Sequence, residues 1–133
     1  MTFSGINYLA ILVAAVAAFA WGAAYYMSLS RQWLAAVGRS APNRSPAPFI
    51  LSFVALVVMG WVLAGMLGHL GPGQVTVTNG IVSALFVWLG FVATTVTVNN
   101  AFAGRKYSLS LIDAIHWLGA LVVEGALIGA FGV

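Results

Sequence analysis

The chain has 133 residues, of which five are Lys or Arg and two are Asp or Glu, while 62% are hydrophobic. A soluble domain is about 45–50% apolar and about 25% charged, and a surface facing water cannot be built from so few charges. A soluble enzyme, a nucleic-acid-binding module and a disordered tail are therefore excluded, and a mean hydropathy of +1.05 points to an integral membrane protein. There is no cysteine, so disulfides, thiolate metal sites and catalytic thiols are excluded as well.

A spanning helix needs about 20 apolar residues, because each rises about 1.5 Å through a hydrocarbon layer about 30 Å thick. Four stretches meet this in chain order, at about 5–27, 49–69, 79–98 and 110–131, and they predict an all-α four-helix membrane bundle forming one domain over 1–133. Met1 to Ser4 carry no basic residue. The first apolar run is also too long for a signal-peptide core, so it is expected to stay in the mature protein. Leu29, Trp33 and Val37 repeat at helical spacing, which extends the first helix to Gly38 or lays a short segment on the membrane surface. Pro42, Pro46 and Pro48 break the chain before the second span, and Gly71-Pro72-Gly73 is a turn before the third. Asn99-Asn100 and Gly104 close the third span.

Every basic residue falls in one of two loops. Arg31, Arg39 and Arg44 lie between spans one and two, and Arg105 and Lys106 between spans three and four. By the positive-inside rule those loops are cytoplasmic and both termini lie outside. The same charges are placed to touch anionic lipid headgroups. Trp21, Tyr25, Tyr26 and Trp33 cluster where the first span should leave the bilayer, the depth that amphipathic rings favour.

Helices in lipid associate through close backbone approach and polar contacts. Ala10, Ala14, Ala18 and Gly22 form a four-residue ridge on span one, and Gly125 and Gly129 form a small-xxx-small pair on span four. The ridge reads first as a packing face within the chain and second as a dimer face.

Both acids lie on span four. Asp113 and Glu124 are eleven residues apart, which at about 100° per residue places them within about 20° on one face. Ser110-x-x-Asp113 reads as a capping box opening the helix, with Arg105 or Lys106 in reach of the acid. His116, one turn on, reads as a packing residue hydrogen-bonded beside Asp113. Glu124 is enclosed by Val, Leu, Ile, Gly and Ala. A charge near the membrane centre costs about 2.5–3.5 kcal/mol, so it must be paired, protonated or facing water. Asn7, Tyr8 and His69 are its candidate partners. His69 and His116 should differ in height by about 15–20 Å, so one haem iron cannot take both, and no cofactor and no metal site is expected. Thr94, Thr95 and Thr97 read as hydroxyls bonded back to their own helix, with a polar funnel as the alternative. No soluble catalytic motif is present.

Two stretches carry a family resemblance. One is Asn7-Tyr8-Leu9-Ala10-Ile11-Leu12-Val13, continued by Trp21-Gly22-x-x-Tyr25-Tyr26 and Trp33. The other runs from Asn99-Asn100 through Arg105 to Asp113-Ala114-Ile115-His116-Trp117 and Gly125-Ala126-Leu127-Ile128-Gly129. In these the chain resembles a bacterial membrane family catalogued as domain of unknown function 1761. The resemblance implies four spans in one domain and residence in the bacterial inner membrane. It implies no activity and no set of functional residues.

The expected protein is thus a self-associating membrane bundle without an assigned reaction, in contact with lipid and with no nucleic-acid partner. The alternatives are an accessory subunit of a larger membrane complex and an oligomeric proton-linked permease using Glu124 and Asp113. A lipid- or quinone-directed enzyme with His116 and Asp113 as acid and base ranks last.

Overall fold

Helix boundaries follow from a few capping groups. The computed structural model describes residues 3–132; Met1 and Thr2, on which the signal-peptide reading partly rests, lie outside them. Asn7 opens α1, its Oδ1 accepting the amide of Ala10 at 3.0 Å. The helix accordingly runs Tyr8–Ser28 and does not begin at Gly5. The chain breaks at Leu29, where φ is −109° and ψ 20°. It restarts as a separate short helix, α2 (Ser30–Val37), closed by Gly38 at φ 83°, a left-handed conformation that glycine adopts without a Cβ clash.

The second apolar run is α3 (Ala47–His69), with Pro48 in its first turn, where a missing amide proton costs nothing. After the glycine turn, Thr76 Oγ1 accepts the amide of Asn79 at 3.2 Å and starts α4 (Val77–Val87). A π-helical segment, Trp88–Ala93, then leads directly into α5 (Thr94–Phe102). The fourth stretch is α6 (Tyr107–Phe131).

Among the described residues the secondary structure is entirely helical. Four stretches are long and apolar enough to cross a membrane: α1, α3, Val77–Phe102 and α6. The molecule is thus built as a helical integral membrane protein.

α6 is the hub. It packs on α1, α2, α3, α4 and α5, while α1 meets α3 and α3 meets α4. Ala10, Ala14 and Ala18 are at most 1% exposed, and with Gly22 they turn inward toward α3 and α6. Ala14 joins Leu63, Leu67, Leu121 and Ile128 in one apolar cluster, and Ala18 joins Leu56 and Ala120 in a second. The Val77–Phe102 stretch is different. Only 6% of its most apolar window is buried inside the chain, against 33% for α1 and α3 and 39% for α6.

At Gly80 and Gly125, α4 and α6 cross backbone against backbone. A Cβ placed on Gly80 would collide with the carbonyl of Gly125, and one on Gly125 with that of Gly80. One on Gly129 would collide with the Thr76 carbonyl. The Gly125–Gly129 pair therefore has a partner ridge in Thr76, Gly80 and Ala84, at the same four-residue spacing.

Candidate functional site

The polar residues of α6 divide into two groups. In the first half, four side chains from other helices donate hydrogen bonds to one short segment. Tyr25 Oη donates to the Ile112 carbonyl at 2.7 Å, and Tyr26 Oη to Asp113 Oδ1 at 2.7 Å. Trp88 Nε1 donates to the Ala114 carbonyl at 2.7 Å, and Trp21 Nε1 to the His116 carbonyl at 2.9 Å. Each of these carbonyls has a second lone pair beyond its helical bond, so the rings gain partners without unwinding α6. Gly119 leaves room for the Trp21 indole, which occupies the space a Cβ would take.

Asp113 does not cap its helix. α6 begins at Tyr107 with Lys106 in the capping position, so the acid lies well inside the helix, and the capping-box spacing is coincidental. Ser110 is buried and receives Asn100 Nδ2 on its Oγ at 3.2 Å. Arg105 and Lys106 do not pair with Asp113; they reach the carbonyls of Val37 and Ala35. The expected bond from His116 to Asp113 is also absent. Tyr26 takes the carboxylate instead, with its ring 4.8 Å from that of His116. His116 is 6% exposed, and its Nδ1 has no hydrogen-bond partner. The Nε2 edge of the imidazole lies against Gly22, where a Cβ would come within 2.7 Å of Nε2.

Glu124 lies in the second half and is 0% exposed. Neither carboxyl oxygen has a hydrogen-bond partner. The expected partners do other things. Asn7 caps α1, Tyr8 is 62% exposed, and His69 is exposed at the end of α3. What faces Glu124 is apolar: a Cβ at Gly60 would stand 3.6 Å from Oε1 and 3.4 Å from Ile11 Cγ2. Gly60 thus lies against the carboxyl at the seam of α3 and α6, at a distance where a Cβ would make only ordinary contact. A cleft of about 170 Å³ between α3 and α4 has Leu63 and Leu121 on its wall, each about one turn from Gly60 or Glu124.

Asp113 and Glu124 therefore do not form one site. The first is held by Tyr26 and the second is sealed in the core. The hydroxyls of Thr94 and Thr97 bond the carbonyls of Gly90 and Ala93 at 3.0 and 2.7 Å, and Thr95 likewise bonds its own helix, so they form no funnel toward Asp113. Two contributions were missed in the sequence. The tryptophan donors had no signal beyond the rings themselves. The Gly80 ridge had one, in the spacing of Thr76, Gly80 and Ala84.

A four-helix membrane bundle with an unpaired carboxyl at its centre is thus the class that fold and site define. Residues 9–129 match the family model described as "Protein of unknown function (DUF1761)", and the chain belongs to that family. No curated protein and no solved structure matches it.

Proposed function

We propose that the protein is a self-associating bundle of the bacterial inner membrane, with its basic loops cytoplasmic and both termini outside, and that copies meet along the Val77–Phe102 helix. The observation that supports this is its 6% burial combined with Gly90. A Cβ built there meets nothing within 4 Å, so no neighbour among the described residues requires a glycine at this mid-span position. Gly90 and Thr94 are small residues one turn apart on an exposed surface, the pattern through which membrane helices approach closely. The absence of cysteine makes the test direct. Single cysteines at Gly90 and Thr94 should cross-link chain to chain in native membranes, and a cysteine at Val16 on the exposed face of α1 should not. Cross-linking to a different protein would favour the accessory-subunit reading, and a chain that remains monomeric in membranes would end the proposal.

The sealed Glu124 favours a second reading, a proton-linked permease. Since α6 lies at the centre of its own chain, the route to Glu124 would open within the chain, at the Gly60 seam. Glu124→Gln in proteoliposomes should then change proton or solute flux. An unchanged, nonzero flux would remove Glu124 from the pathway.

A further inference from the structure

A charge that only marks one side of a membrane needs no contact with the rest of its chain. Among the described residues, Arg31 and Arg44 fit that description, whereas Arg105 and Lys106 do not. Arg105 Nη1 lies 3.4 Å from the Val37 carbonyl and Lys106 Nζ lies 3.3 Å from the Ala35 carbonyl. Both bonds cross from the α5–α6 loop to the last turn of α2, where orphan carbonyls attract cations. Gly38 then turns the chain, and the Arg39 amide closes on the Leu34 carbonyl at 3.0 Å. Two exposed cations are thus held at this helix end by their side chains, and Arg39, also exposed, follows at the turn.

No acid answers them. Asp113 is engaged by Tyr26. A lysine has three donors and an arginine five, so bonds to single carbonyls leave most of them free. The same turn presents Phe102 at 92% and Tyr107 at 74% exposure. Cationic donors beside exposed rings, at the end of apolar helices, match an amphiphile; a free phosphate would use the charges and leave the rings bare.

We propose that Arg39, Arg105 and Lys106 form a binding site for the phosphate of an anionic phospholipid headgroup, with Phe102 and Tyr107 against its glycerol and upper acyl chains. The site does not depend on self-association or on which side of the membrane it faces.

The test uses the full chain in nanodiscs of phosphatidylglycerol mixed with phosphatidylcholine, followed by native mass spectrometry of retained lipid. The wild type should retain phosphatidylglycerol selectively. R105Q/K106Q should lower that retention about ten- to thirtyfold, at the rule of about one kcal/mol per basic residue near an anionic surface. R39Q, which leaves both contacts to α2 in place, should lower it several-fold with an unchanged circular dichroism spectrum, and R44Q should leave it unaltered. The site is refuted by equal retention of both lipids in the wild type. It is equally refuted by undiminished retention in both R105Q/K106Q and R39Q, or by a loss in R44Q as large as theirs. Displacement of the lipid by inorganic phosphate, at constant ionic strength against chloride, would reassign the site to a free anion.

Discussion

Between Ile112 and His116, α6 accepts hydrogen bonds from Tyr25, Tyr26, Trp88 and Trp21. Between Gly119 and Gly129, among the described residues, it accepts none from other side chains and instead lies backbone against backbone on α4 at Gly80 and Gly125. Lipid is as apolar as a leucine side chain, so neither half can rely on the hydrophobic effect to hold its neighbours. One half uses polar donors that need only a free lone pair. The other uses the absence of side chains, which gives many weak dispersion contacts and no tolerance for added volume. Glu124 stands in the half that has no donors to offer it.

That comparison can be broken at several points. The largest effect is expected from Gly80→Leu or Gly125→Leu. The obstructing atoms are backbone and cannot rotate away, so stability should fall by about 3 kcal/mol or more; thermal unfolding in detergent would show it, and a near-neutral result would refute the crossing. Glu124→Leu should act in the opposite sense. It removes two unpartnered buried oxygens at similar volume and should stabilise the fold by about 1–3 kcal/mol. Destabilisation by the same assay would mean that the carboxyl has a partner. Tyr26→Phe should cost about 0.5–1.5 kcal/mol through its one hydrogen bond to Asp113; adding Asp113→Asn should cost little more, since the two residues share that bond. The smallest change belongs to Thr97→Val, whose hydroxyl bonds only its own helix; a shift within about 0.5 kcal/mol is expected.

Much of this architecture was legible in the sequence, and the exceptions are physical. Apolar run length located all four long helices, because the cost of exposed backbone in lipid fixes a span more firmly than local propensity does. The ends were less legible. Asn99 and Asn100 read as terminators, yet α5 continues to Phe102 and the Asn100 amide is satisfied by Ser110, a contact between helices that no local rule contains. Asp113 was misread for a related reason. Ser110 and Asp113 have the spacing of a cap, and only the three-dimensional position of Tyr26 shows what the carboxylate accepts. The burial of Glu124 was suggested by its apolar flanks. Its isolation was not, because Asn7 could have served Glu124 until its own helix start claimed it.

The π-helical segment Trp88–Ala93 has a consequence for phase. α4 presents Ala84 to α6, and α5 presents Asn100 to Ser110 of the same helix. In an even α-helix these two positions would point about 160° apart, so the stretch could face α6 with one end only. A π turn absorbs about one extra residue, or about 100°, and narrows that divergence to about 60°. The irregular turn acts as a clutch between two registers, letting one long helix keep the same neighbour from end to end. Deleting a single residue there would restore even pitch yet leave Asn100 facing Ser110, because one step fewer in an even helix also ends about 60° from Ala84.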